Sequence, residues 1–255
     1  GLFNCPHMKS FAALIQLLGA STKTNDKLAA LVDYFAQADE QDKTWVIALF
    51  SGRRPRRTIN ATQLKLWCAE LIALPVWLGE ECYHTVGDLS ETIALLIPEN
   101  HFRDTAPGRP LHYYVQQFQA LEKAGEAEKK AFVIRSWQEL TSQERFVFNK
   151  LLSGSFRVGV SQKMMVNALA RTVQLEPSVI AHRISGSWDP ALVTFTDLLS
   201  EQSVTTDHSK PYPFYLAYAL EEEPDSLGDP QDWQAEWKWD GIRGQIIKRD
   251  NQLFV

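Results

Sequence analysis

From Lys9 to about Ser200 the apolar residues recur at intervals of three and four, a spacing that confines this stretch to helices. Phe11, Leu14, Ile15, Leu17 and Leu18 make one stripe. Leu28, Leu31, Val32, Phe35 and Ala36 make a second, with Thr24 or Asn25 as the cap. A third helix carries Trp45, Val46, Leu49 and Phe50 and stops at Ser51-Gly52; a fourth starts near Asn60 and carries Leu64, Trp67, Cys68, Leu71 and Ile72. The same spacing predicts helices over 75–84, 88–97, 111–123, 126–140, 142–152, 162–173 and 177–185. Aromatic and methionine side chains on these stripes are assigned to the core.

The chain has 255 residues, enough for one large domain or two small ones. It contains no run of 18 apolar residues, so no transmembrane helix is expected. Cys5, Cys68 and Cys82 have neither metal-like nor paired spacing, which fits reduced thiols in a cytoplasmic protein. Residues 1–8 lack the basic start and apolar centre of a signal peptide and read as a cloning remnant. The formal charge of −5 excludes a uniformly basic coat, yet it is compatible with a local basic face.

Basic residues gather at two interruptions between helices. Arg53-Arg54-Pro55-Arg56-Arg57 directly follows a helix-ending glycine. Four arginines around a proline repel one another and resist burial, so this is either a solvated loop or a phosphate-contacting corner. Phe156-Arg157-Val158-Gly159-Val160-Ser161 joins two helices. Gly154 and Gly159 let backbone N–H groups approach a ligand, and Ser161 is placed to cap a helix whose N-terminus favours an anion. Around this loop, from Arg145 to Leu175, there is no acidic residue, but there are Arg145, Lys150, Arg157, Lys163 and Arg171. Such one-sided charge beside glycine turns fits sequence-independent contact with a phosphate backbone, the alternative being a solvated face. The candidate DNA contacts are Arg53, Arg54, Arg56, Arg57, Lys150, Arg157, Gly159, Ser161 and Lys163.

Residues 201–212 are polar and without pattern and read as a linker. Beyond them, Glu236-Trp237-Lys238-Trp239-Asp240-Gly241-Ile242-Arg243 contains Lys-x-Asp-Gly-x-Arg. The alternation in Gln245–Arg249, the turn at Asp250-Asn251 and the run Leu253–Val255 predict two strands in a hairpin. A lysine acts as a nucleophile only when neutral, and at an ordinary pKa of about 10.4 very little is neutral at pH 7. Flanking indoles and a nearby cation would raise that fraction, and Arg243 suits phosphate or ribose oxygens. A chance match to these four fixed residues in a chain of this length is expected roughly once in several hundred, at typical residue frequencies.

This motif resembles the nucleotidyl-lysine motif of the covalent nucleotidyltransferases: ATP-dependent DNA ligases, RNA ligases and mRNA capping enzymes. The resemblance implies that Lys238 is the lysine that becomes adenylated, that Glu236 reads the adenine side and that Arg243 holds the ribose side. A second resemblance covers most of residues 9–200, most closely Phe148–Gly154, Arg157–Ser161 and Ala168–Ala170, with the Gly52–Arg57 corner. These stretches resemble the N-terminal helical DNA-binding domain of ATP-dependent DNA ligases, which capping enzymes and RNA ligases lack.

Together the two imply a mainly α architecture: a helical DNA-binding domain over 9–200, the linker, and the first strands of an adenylation domain over 213–255. They imply an enzyme, acting in DNA replication, repair or recombination, that seals nicks in duplex DNA through a lysyl-AMP intermediate. ATP and Mg2+ would be its cofactors, nicked double-stranded DNA its sequence-independent partner, and a cytoplasmic monomer its form. A non-catalytic helical DNA-binding protein, or an RNA ligase or capping enzyme with the same motif, remains an alternative. Because the family's later motifs are absent after Val255, the chain is expected to be a fragment that takes up no AMP. Intact mass after incubation with ATP and Mg2+ should therefore be unchanged; a gain of one AMP on Lys238 would overturn this.

Overall fold

A computed structural model of the chain describes residues 3, 8–99, 108–154, 159–186, 188–200, 223–233, 237, 241, 244–249 and 251–255. Among these, twelve α-helices precede one small hairpin. The helices are α1 (Met8–Ala20), α2 (Thr24–Gln37), α3 (Glu40–Phe50), α4 (Ala61–Leu71), α5 (Val76–Val86) and α6 (Leu89–Leu96). They continue with α7 (Leu111–Ala120), α8 (Glu126–Glu139), α9 (Ser142–Ser153), α10 (Gln162–Val173), α11 (Pro177–Ile184) and α12 (Phe195–Leu199). Strands β1 (Ile247–Arg249) and β2 (Gln252–Phe254) pair antiparallel, Ile247 opposite Phe254 and Arg249 opposite Gln252, with Asn251 at φ 62° in the intervening turn. The mainly α reading and the hairpin are thus borne out. None of the described helices is long and apolar enough to cross a membrane.

Local chemistry sets most helix starts. Asn60 accepts from the Gln63 N–H while the Gln63 side chain accepts from the Asn60 N–H, a reciprocal cap. Thr141 and Glu144 do the same for α9. Each such cap contributes about 1 kcal/mol. Neither Thr24 nor Asn25 caps α2: Lys23 holds the cap position, and Thr24 is already the first helical residue. Phe3 is 2% exposed with its ring edge-on to Tyr34, and Met8 opens α1 with its N–H donating to the Arg109 carbonyl.

The core has two centres. One is α3, where every residue from Asp42 to Leu49 is buried, so the helix is enclosed all round. The Asp42 carboxylate accepts the Leu111 and His112 backbone N–H groups, satisfying donors at the start of α7, and it binds the His112 ring at 2.7 Å. That hydrogen bond raises the His112 pKa above its ordinary 6.5, against burial, with the charges of Asp42 and Asp39 adding to the rise. Asp39, Asp42 and His112 offer their ligand atoms within 4.8 Å of one another, but these atoms already cap α3 and α7.

The other centre is α9, packed against α6, α1 and α7. Phe148 lies among Tyr114, Phe118 and Phe132 with ring centroids 5.4 to 6.1 Å away. Beside it runs a buried polar chain: the Trp137 indole donates to Asn149 at 2.7 Å, and Asn149 donates to the Ser90 carbonyl at 3.3 Å. Arg145, at 0% exposure, donates to the carbonyls of Trp137, Ile97 and Pro98 at 2.5, 2.6 and 3.2 Å.

Two outcomes follow for stability. Arg145→Met leaves two buried carbonyls, those of Trp137 and Ile97, without these donors, at about 1–3 kcal/mol for each unsatisfied group, so urea denaturation should show a loss of roughly 2 kcal/mol or more. Because the folded pKa of His112 is raised, its stabilisation is complete below about 6.5 and is lost as pH rises through the folded value. His112→Gln should therefore reduce stability clearly at acidic pH and little at alkaline pH; an equal loss at both would sink the assignment.

Candidate nucleic-acid interface

The buried helix α3 ends at Ser51, and the chain turns through Gly52 directly into the arginine corner. The corner is therefore mounted on one of the most enclosed elements of the fold. Its four arginines divide. Arg54, Arg56 and Arg57 are exposed. Arg53 is half-buried: its guanidinium donates to the Trp188 carbonyl at 3.0 Å and to the Gly186 carbonyl, and it lies 4.4 Å from the Trp188 ring centroid. Burial lowers its pKa. The expectation that all four resist burial fails at Arg53 because backbone carbonyls and an indole face replace its water.

The second basic interruption comes to the same place. Gly154, at φ 68°, is the left-handed cap that ends α9, and its carbonyl accepts from Arg54 at 3.3 Å. On the other side of the loop, the Gly159 carbonyl accepts from Lys27 of α2 at 3.3 Å. A Cβ on Gly159 would lie 3.2 Å from the Lys27 Nζ, and φ is +61°, so glycine suits the position on both counts. Ser161 caps α10 as its position in the sequence suggests, its hydroxyl accepting from the Met164 N–H at 3.1 Å. Ser161, Gln162 and Lys163 are exposed there, at the positive end of the α10 dipole, which favours a negative ligand. Arg157 lies outside the described residues.

Lys150 is differently placed. It pairs with Asp88, the residue that caps α6, and sits 5.4 Å from the Phe146 ring centroid. Burial opposes ionisation of Asp88, but the bonds from Lys150 and from the Glu91 N–H outweigh it and hold the carboxyl below its ordinary range. Arg145 belongs to the core. The one-sided charge of residues 145–175 therefore does not translate whole into a basic face.

Sequence reasoning missed Lys27 and Lys129. Lys27 is 132 residues from its Gly159 partner, and the Lys129 ammonium reaches the Thr58 carbonyl, beside Arg57, at 3.4 Å across 71 residues. No local pattern carries either contact.

At the far end of the chain, Glu236, Lys238 and Arg243 lie outside the described residues. Trp237, which precedes Lys238, is 85% exposed. A Cβ at Gly241 or Gly244 would meet nothing within 4 Å.

Residues 7–170 match the family model described as DNA ligase N terminus. A probable DNA ligase of Koribacter versatilis is 24% identical over 95% of this chain and 43% of its own length. A probable DNA ligase of Dictyoglomus turgidum is 23% identical over 96% of this chain and 44% of its own. DNA ligase 2 of Methanosarcina acetivorans is 22% identical over 69% and 34%. The chain thus spans less than half the length of these curated relatives. With the family model covering well over half of the residues, the chain belongs to the DNA ligase N-terminus family.

Proposed function

We propose that the complete protein is an ATP-dependent DNA ligase that seals nicks in duplex DNA, and that the helical domain described above holds the duplex. The observation that carries this reading is the meeting of two basic interruptions far apart in sequence: Arg54 reaches Gly154 and Lys27 reaches Gly159, on the two borders of one loop. Phosphates are the matching partner. The exposed groups are guanidinium and ammonium ions and helix-terminal N–H groups, which position a duplex without reading its bases. Arg54, Arg56, Arg57, Arg157, Gly159, Ser161 and Lys163 make up this surface. Arg53 and Lys150 act beside it through their structural bonds.

In the chemical reading, the neutral Lys238 amine attacks the α-phosphorus of ATP; a P–N bond forms, and the P–O bond to pyrophosphate breaks. An oxygen of the nick 5′-phosphate then takes the AMP, breaking the P–N bond and forming a P–O–P linkage. The 3′-hydroxyl attacks the 5′-phosphorus, loses its proton, and expels AMP as the strand closes. Glu236 and Arg243 hold the adenine and ribose sides. Magnesium, when bound, neutralises phosphate charge. The protein acts as a monomer on nicked duplex, irrespective of sequence.

Binding of this chain to nicked and intact duplexes should fall steeply with salt. For four phosphate contacts the loss between about 50 and 200 mM is on the order of 100-fold, at a slope near 0.9 per contact. The double change Arg157→Glu and Lys163→Glu should abolish binding. No binding at either salt would remove the helical domain's role. In the complete protein, Lys238→Ala should stop sealing; retained sealing would leave a helical DNA-binding protein whose motif does no chemistry. RNA-strand preference, or GTP in place of ATP, would point instead to an RNA ligase or capping enzyme.

A further inference from the structure

The ion pairs separate the lysines and arginines into two groups. Lys43, Lys65, Arg109, Lys130 and Lys150 each face a carboxylate: Glu40, Glu80, Glu139, Glu70 and Asp88. Around the arginine corner the partners are carbonyl oxygens instead. Lys27 donates to Gly159, Arg54 to Gly154, Arg57 to Ile59 and Lys129 to Thr58. Among the described residues, no carboxylate lies within ion-pair distance of Lys27 or Lys129.

A carbonyl takes up one N–H but cancels no charge. Each ammonium has three donors, so two remain for another acceptor, and the full positive charge stays at the surface. Both lysines are half-buried, so packing of the stem fixes where the ammonium stands and reduces the ordering cost of binding. Their placement is also ordered. Lys27 stands at the Gly159 border of the loop, whose other border is held by Arg54, and Lys129 stands at Thr58, next to Arg57. Lys129 of α8 thus stands beside the arginine corner, and Lys27 of α2 at the far border of the loop that the corner touches. Lys130, the very next residue to Lys129, has its charge met by Glu70, so the neighbouring positions differ in kind.

We propose that Lys27 and Lys129 are two further phosphate contacts, extending the duplex-binding surface beyond the arginine corner onto α2 and α8. This rests on the duplex-binding reading given above. The test is the dependence of duplex affinity on salt, measured with the full 255-residue chain and a nicked duplex for the parent, Lys27→Gln, Lys129→Gln, the double variant and Lys130→Gln. Each contact removed should lower the slope of log affinity against log salt by about 0.9, and the double change by about 1.8. Lys130→Gln should leave the slope unchanged, and Lys27→Arg and Lys129→Arg should keep it. Unchanged thermal midpoints establish that the variants fold; where a Gln variant does not, the Met variant, which keeps the apolar stem, is measured in its place. Weaker affinity at an unchanged slope would make the two lysines braces of their loops and overturn the proposal. A parent chain that binds duplex, with variants that bind equally well, would overturn it while leaving the duplex-binding reading in place. A parent chain with no salt-dependent binding would overturn both.

Discussion

Arg145 places a permanent positive charge where no water reaches it, and the ends of two other helices converge on its guanidinium. Its donors meet Trp137 near the end of α8 and Ile97 and Pro98 just beyond α6. Carbonyls at helix C-termini lack intrahelical partners and carry the negative end of the helix dipole. A fork of N–H donors answers both needs at once, and its planar geometry lets one side chain serve three acceptors. The arrangement ties three helices at one point: α9 holds the ends of α6 and α8 together. Asn149, one turn further along α9, extends the same polar seam to Trp137 and Ser90.

Much of the helical frame was legible because its signals are local. The span of α10 coincides with its expected 162–173, Asn60 and Ser161 cap the helices they precede, and Asn251 takes the left-handed conformation in the expected turn. Errors gathered where a distant partner decides the outcome. Thr24 looks like a cap but is drawn into α2, and α12 carries too short a pattern to stand out, being held by the stacking of Phe195 on Phe35.

The two basic interruptions of the proposed interface were legible in the sequence, but not which of their side chains stay free of structural bonds. Charge counting found the arginine corner and the glycine loop, because both stand at breaks between helices. It could not separate cations that face solvent from those met by burial, as at Arg145, by a stacked indole and carbonyls, as at Arg53, or by a carboxylate, as at Lys150. Nor could it gather Lys27 and Lys129, whose partners come from other helices. Net charge within a sequence window is thus a fair guide to where a face lies and a poor guide to which side chains build it.

The enclosed helix α3 has a mechanical consequence. Near its start, Glu40 accepts from the Thr196 N–H and hydroxyl; just beyond its end, Arg53 grips Gly186 and Trp188. These two fastenings are separated by thirteen residues, about 20 Å if the whole stretch were helical. The strand of chain between α11 and α12 is therefore fastened across the length of one rod. Alone, the five residues of α12 are too few to hold a helix, so α12 persists by virtue of the Glu40 clasp together with the stacking of Phe195 on Phe35. Tension applied to α12 would be delivered to the start of α3 in shear, through the two bonds to Glu40.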